Sequence, residues 1–248
     1  MSTYDGKKIV ITGGSSGIGL AAARLFADGG ADVLITGRTR STLDAALEQL
    51  GDKAVGVRSD AASLKAIKAL AGTVRERFGA LDALFVNAGV TASAPLEATT
   101  EEMYDELFAI NTKGPYFTVQ ALAPLLREGS GVVLTTSVVN VLGLDALSVY
   151  SASKAALRSM TRTLARELLP RKVRVNAVSP GPIDSGILDR SSPPADVVEA
   201  TKETYRSTIP MQRLGSSEEV AAAVAYLAFG ATFSTGTEFP VDGGASQL

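Results

Sequence analysis

Lys7-Lys8-Ile9-Val10-Ile11-Thr12-Gly13-Gly14-Ser15-Ser16-Gly17-Ile18-Gly19 reads as a strand, a turn and the start of a helix. A short β-branched apolar run that stops at glycines fits a buried parallel strand. The helix begins at about Ser16, carries Ile18, Ala21, Ala22, Leu25 and Phe26 on one face, and ends at Gly29-Gly30. The turn between them has glycines that allow positive φ and close backbone approach, which suits delivery of a pyrophosphate to the exposed amides of a helix N-terminus. Its spacing, G-x-x-x-G-x-G, differs from the usual dinucleotide fingerprint G-x-G-x-x-G. A plain glycine-rich turn is the alternative; placement between the first strand and the first helix favours the binding turn.

Outward from this unit, strand and helix alternate to the end of the chain. The pattern predicts strands at 32–36, 54–58, 81–87, 131–136, 172–178 and about 237–241. It predicts helices at 41–50, capped by Ser41, and at 63–78, stopping at Gly79. Thr100 opens another with Glu101 and Glu102 in its first turn, where the helix dipole favours negative charge. Helical character resumes after Gly114-Pro115 to about Arg127, and further helices are predicted at 150–168 and 216–228. No biased linker and no fixed-period repeat interrupts the alternation, so one domain over 1–248 is expected: an α/β fold with a doubly wound parallel sheet and helices on both faces.

The 248 residues are 46% hydrophobic and 20% charged, with a formal net charge of −2. That balance gives no basic excess for nucleic acid or an anionic membrane, and neither partner is expected. No run approaches a membrane span and the N-terminus shows no signal-peptide segment, which makes a cytoplasmic protein the expectation. Cysteine and histidine are both absent. Thiol nucleophiles, disulfides, Cys/His metal sites and Ser-His-Asp arrangements are therefore excluded, no metal is expected, and proton chemistry falls to Tyr, Lys, Asp or Glu.

In doubly wound sheets ligands bind beyond the carboxyl ends of the strands. After the second strand stands Gly37-Arg38-Thr39-Arg40, where an NAD site needs a carboxylate and an NADP site a cation; Asp32 lies at the wrong end of its strand to serve. Arg38 thus points to NADP(H) over NAD(H), with Ser15 and Thr39 as added donors to a 2′-phosphate; a solvated loop arginine is the alternative. Asp60-Ala61 follows the third strand, as an acceptor for an adenine amino group or as part of a helix cap. Asn87-Ala88-Gly89 follows the fourth, small enough to pass a cofactor while Asn87 ties neighbouring loops, or simply a structural turn. Pro180-Gly181-Pro182-Ile183-Asp184-Ser185 follows the sixth, and 185–210 is too long for a passive connection and reads as a substrate lid.

Ser137 follows the fifth strand, with twelve residues between it and Tyr150. In a helix Tyr150 and Lys154 project from one face a turn apart. A cation at about 5 Å in an effective dielectric of about 20 favours a phenolate by roughly 3 kcal/mol, about two pKa units, enough to bring tyrosine toward acid/base work. Tyr and Lys at this spacing also occur on ordinary half-exposed helix faces.

Taken together, the 12–19 glycine motif, Asp60, Asn87-Ala88-Gly89, Asn111, Ser137, Tyr150, Lys154, Pro180-Gly181 and Val241-Asp242-Gly243-Gly244 resemble the compact, one-domain short-chain dehydrogenase/reductases. The resemblance spans nearly the whole chain in the family's order. It implies a Rossmann-like sheet of about seven parallel strands, a nicotinamide cofactor and a catalytic tetrad of Asn111, Ser137, Tyr150 and Lys154. It also implies a homotetramer in which the helix from Tyr150 packs on its symmetry mate. The implied cofactor contacts are Gly13, Ser15, Ser16, Gly17, Ile18, Gly19, Arg38, Thr39, Asp60, Ala61, Asn87, Ala88, Gly89, Tyr150, Lys154, Pro180, Gly181, Ile183 and Ser185. Ser185 departs from the family's usual threonine but keeps the hydroxyl.

Within the family the chain looks like NADPH-dependent alcohol dehydrogenases that reduce bulky ketones. Tyr150 would give a proton to the carbonyl oxygen, Ser137 would hydrogen-bond that oxygen, Lys154 would lower the tyrosine pKa, and Asn111 would hold a water leading to solvent. Val138, Val139, Val141, Leu142, Leu144, Ile187 and Leu188 are candidate pocket lining, with a place in the core as the equal alternative. A 3-oxoacyl-(acyl carrier protein) reductase is the nearest alternative, with Arg127, Arg171 and Lys172 as the hint of a carrier-docking patch. A non-catalytic cofactor sensor is more remote because Tyr150 and Lys154 are both kept. An epimerase or dehydratase would need a second substrate domain that does not fit this length.

Overall fold

Ile9, Val10 and Ile11 are all inaccessible to solvent, though their side chains alternate between opposite faces of β1 (Lys8–Thr12). Ile9 and Ile11 pack in one core and Val10 in another, so β1 is covered on both sides, as an interior parallel strand must be. The computed structural model of the protein describes residues 3–186 and 195–248.

The chain continues through α1 (Gly17–Asp28), β2 (Asp32–Gly37), α2 (Arg40–Leu50), β3 (Ala54–Arg58), α3 (Leu64–Phe78), β4 (Leu81–Val86), α4 (Glu101–Phe108), α5 (Gly114–Leu122) and β5 (Leu126–Thr135). Then follow α6 (Ser148–Leu168), β6 (Arg174–Pro180), β7 (Ile183–Asp184), α7 (Ala195–Thr208), β8 (Gly215–Ser216), α8 (Ser217–Ala225) and β9 (Glu238–Val241). Seven strands form one parallel sheet in the order β3-β2-β1-β4-β5-β6-β9, and β7 pairs with β8 in a separate two-stranded sheet. The order reverses between β1 and β4, which makes their carboxyl ends the topological switch point. Phe26 of α1, Leu43 of α2 and Val224 of α8 belong to the core on one face; Leu70 of α3, Leu122 of α5 and Leu157 of α6 belong to the core on the other.

Three expectations are corrected. Ser41 does not cap α2: Thr39, in extended conformation, precedes Arg40 at the N-cap position, and Ser41 lies within the first turn. Helix after Gly114-Pro115 ends at Leu122 rather than at about Arg127, because a 3₁₀ turn through Pro124 leads into β5, which starts at Leu126 rather than 131. Strand β6 begins at Arg174 rather than 172, since Lys172 takes a left-handed conformation (φ 56°) that turns the chain.

Candidate active site

The turn between β1 and α1 folds on itself more tightly than a side chain would permit. A Cβ on Gly19 would lie 2.1 Å from the Gly13 carbonyl oxygen, and one on Gly13 (φ +65°) would lie 2.9 Å from Ala88 Cα. Ser16 is extended at the N-cap of α1 but its hydroxyl caps nothing, and no acid occupies the first turn. The first amides of α1 are thus left for another acceptor. Thr12 Oγ1 accepts from the amides of Asn87 (3.0 Å) and Ala88 (3.1 Å), while Asn87 Nδ2 donates to the carbonyls of Thr12 (3.3 Å) and Gly13 (3.2 Å). The Thr135 hydroxyl donates to Asn87 Oδ1 (3.2 Å). Asn87 therefore ties the ends of β1, β4 and β5.

At the end of β2, Ser15 Oγ lies 2.8 Å from where a Cβ on Gly37 would stand, which sets its hydroxyl next to Arg38. Arg38 is exposed, and its carbonyl accepts from Arg58 Nε (3.0 Å). Two guanidinium groups thus share this corner; Arg58 escaped the sequence reading because it is the last residue of β3 rather than the first beyond it. Asp32 sits at the opposite end of β2, bonded through its amide to the Lys7 carbonyl (2.8 Å). Asp60 closes a turn by accepting from the Ala62 amide (3.0 Å), and the cap of α3 is Ser63, whose hydroxyl accepts from the Ala66 amide. Ala61 packs its carbonyl against Gly114, 2.1 Å from where a Cβ would stand. A glycine cradle and uncapped helix amides are the chemistry that a nicotinamide dinucleotide requires, and the residues fit that group.

Three consecutive residues at the end of β5 are held from α6. Lys154, 4% exposed, donates from Nζ to the Thr135 carbonyl (2.8 Å). The Ser137 hydroxyl hydrogen-bonds the Tyr150 phenol and favours its ionised form. Thr136 between them is bound through Glu238. Burial pushes the Lys154 ammonium down to about 8. Burial also raises the Tyr150 phenol above its ordinary value, Ser137 opposing and nearby Tyr205 adding to the rise. The expected lowering of the tyrosine by Lys154 is thus not what the isolated chain displays. Its Nζ stands 5.9 Å from the centre of the Tyr150 ring and is directed to a backbone carbonyl, while burial is the largest influence on the phenol.

Asn111 is fully buried in a π-helical turn, Ala109–Lys113, between α4 and α5. Its Oδ1 accepts from the Val90 amide (2.9 Å), and its Nδ2 donates to the Val90 carbonyl (2.9 Å) and Ser153 Oγ (3.2 Å). Both ends of the side chain thus have protein partners. Gly89 fits between this group and Lys154: a Cβ there would lie 3.1 Å from Asn111 Oδ1 and 3.4 Å from Lys154 Nζ. Thr135, Val90 and Ser153 were given no role from sequence, and Thr12 only a place in the glycine motif; Thr12 and Thr135 are terminal strand residues, where the search for groups beyond strands does not look.

Gly181 donates its amide to Val241 (3.0 Å), and a Cβ on it would lie 2.8 Å from Asp242 Cα, which joins the β6 end to the closing Val241-Asp242-Gly243-Gly244. Ile183 belongs to β7, and the Ser185 amide donates to the Ile183 carbonyl (2.9 Å). The expected lid contains helix α7, whose Lys202 pairs with Asp184 (3.0 Å) and whose Tyr205 lies within electrostatic reach of Tyr150. Ile187 and Leu188 lie outside the described residues. Of the other candidate lining, Val138 and Val139 are buried, whereas Val141 and Leu144 are exposed. Arg127 pairs with Asp82 (2.6 Å), Lys172 with Glu128 (2.6 Å), and Arg171 donates to the Ala123 carbonyl (2.6 Å). All three stand near the amino ends of β5 and β6, away from Ser137 and Tyr150, so the hinted docking patch does not flank the cleft.

The family model described as Enoyl-(Acyl carrier protein) reductase matches residues 13–246. An oxidoreductase of Sarocladium schorii is 38% identical over 98% of this chain and 97% of its own length. The 3-oxoacyl-(acyl carrier protein) reductase of Thermotoga maritima is 35% identical over 97% of this chain and 98% of its own. A Brucella melitensis structure described as a short-chain dehydrogenase/reductase of the glucose/ribitol dehydrogenase type superposes with a TM-score of 0.91 at 31% identity, covering 100% of both chains.

Proposed function

The chain belongs to the short-chain dehydrogenase/reductase family of oxidoreductases, and we propose that it interconverts ketones and secondary alcohols with NADP(H) as the preferred cofactor. The observation that carries this reading is the convergence of Ser137, Tyr150 and Lys154 at the end of β5, beside the glycine turn that Asn87 holds. The bound nicotinamide supplies or accepts the hydride. A phenol held above its ordinary pKa keeps its proton near neutrality, which suits Tyr150 as the acid that protonates the carbonyl oxygen during reduction. The Ser137 hydroxyl stabilises charge at that oxygen and then the phenolate left behind. Lys154, charged below about pH 8, is the counter-charge for that phenolate.

NADP(H) preference is supported by the Arg38 and Arg58 corner with Ser15 against Gly37, where an NAD site would need a carboxylate. The exposed Val141 and Leu144 support an apolar pocket for hydrophobic or aromatic ketones; 185–210, which contains α7, is read as its lid and the cytoplasm as its place of work. A homotetramer is the proposed assembly: Phe108, Thr112, Lys113, Tyr116, Phe117 and Met160 line a groove between α4, α5 and α6, the face on which a second copy would pack.

Initial rates of NADPH and NADH oxidation against an aryl ketone, a diketone, a 3-oxoester and a 3-oxoacyl thioester test the proposal. Turnover of the aryl ketone or diketone with NADPH preferred is the expected result. Turnover confined to the thioester would assign the chain to carrier-protein reduction, the reading that the Thermotoga relative favours. A preference for NADH would refute the role given to Arg38.

A further inference from the structure

We propose that Glu238, on edge strand β9, is a positioning residue for the reaction, clamping the turn that carries Ser137 against α6. The inference rests on the reading of Ser137, Tyr150 and Lys154 as the reacting centre. The Glu238 carboxylate receives donors from three separate elements: the Thr136 hydroxyl beyond β5, Asn140 Nδ2 (2.7 Å) in the helical turn Val138–Asn140, and Arg158 Nε (3.2 Å) on α6. Arg158 also donates from Nη1 to the Gly236 carbonyl (3.1 Å), which fixes the approach to β9.

Thr136 and Asn140 bracket Ser137 in sequence, so the clamp acts on both sides of the hydroxyl that must face the substrate. The turn itself holds that hydroxyl weakly, since Ser137 Oγ meets the Val139 amide only at 3.5 Å. Tyr150, Lys154 and Arg158 succeed one another by four residues along α6 and form one stripe. They reach Ser137, Thr135 and, through Glu238, Thr136. Position and height of the Ser137 hydroxyl against the phenol are thereby set by one rigid helix.

The chemistry calls for a carboxylate rather than an amide. Arg158 Nε and Asn140 Nδ2 face Glu238 as donors, and a glutamine would lose the charge that pairs with the Arg158 guanidinium; the Thr136 hydroxyl, which also lies 3.0 Å from the Val178 carbonyl, can accept as well as donate. The side chains of Glu238 and Arg158 are 14% and 24% exposed, which separates this pair from the solvated pairs on the surface. An effect on catalysis is expected because a small displacement of a reacting group costs rate far more than it costs binding.

The test compares wild type, Glu238→Gln and Asn140→Ala as full-length proteins, with Glu128→Gln from an exposed surface pair as control. For Glu238→Gln, kcat on the ketone that wild type reduces should fall about tenfold or more, with KM and NADPH affinity within about twofold. Amide hydrogen exchange should quicken across 136–142 and stay unchanged in β1 to β4. Asn140→Ala should give the same pattern in a smaller degree, and it decides the matter should Glu238→Gln fail to fold. Wild-type kcat with merely lower thermal stability, or faster exchange spread evenly over the sheet, would overturn the proposal. Should wild type reduce no ketone with either cofactor, the functional reading fails. Exchange across 136–142 then settles the clamp by itself, and unchanged protection in Glu238→Gln overturns it.

Discussion

Lys154 is an ammonium whose surroundings favour the neutral amine, and the sign of its effect on stability follows from that. Unfolded it titrates at 10.5, folded at about 8. Between those values the unfolded chain binds more protons, so stability rises with pH through that window and is lost as pH falls toward 8, by on the order of 3 kcal/mol. Tyr150 acts oppositely and only at higher pH: its raised pKa removes stability as pH climbs past 10. Denaturant unfolding at pH 8 and pH 10 should therefore show a gain in the apo protein that Lys154→Met largely removes; an equal gain in both would contradict the assignment. For Tyr150→Phe, turnover should disappear while NADPH binding, followed by cofactor fluorescence, stays within about twofold. Retained turnover would mean that another group carries the proton. The spacing of Tyr150 and Lys154 made this pair legible in the sequence, because helical geometry follows from spacing alone. Burial does not, so the spacing carried no warning that desolvation would dominate the tyrosine's pKa. The reciprocal bonds of Asn111 to Val90 were equally hidden, because they join residues whose proximity depends on the packed sheet.

Arg174 shows how one side chain can end an element. Its guanidinium donates to the carbonyls of Leu227 (2.7 Å), Ala228 (2.5 Å) and Ala231 (3.1 Å), closing the π-helical turn that follows α8, and burial lowers its pKa. Replacing Arg174 by Met leaves those carbonyls without their donor and should cost about 2–3 kcal/mol, read as a fall in Tm of several degrees. A change below about 0.5 kcal/mol would show that water satisfies them as well. Elements were legible wherever start and stop chemistry agreed, as with Ser63 before α3 and Gly79 after it. They were misread where a breaker lay inside an apolar run, as Pro124 does between α5 and β5. Helix α7 went unread because its 14 residues follow Pro193-Pro194 and are mostly polar, so the segment resembled a loop.

At the scale of the molecule, the face made by α4, α5 and α6 leaves Tyr104 and Tyr116 exposed beside the groove. If that face joins copies of the chain, Tyr116→Lys with Met160→Glu should shift sedimentation velocity to a smaller species while each subunit keeps its helical content. An unchanged sedimentation coefficient would place the contact elsewhere. The sheet order carries a different consequence. Strand β9 covers the edge of β6, yet it is the last strand among the described residues to leave the ribosome. Until it arrives, the nascent chain presents an open strand edge with exposed N–H and C=O groups, a template for pairing with other chains. The same late segment brings Glu238, so a growing chain assembles its reacting end after the rest of its sheet. Synthesis that stalls before β9 should yield aggregates more readily than a soluble, partly active enzyme.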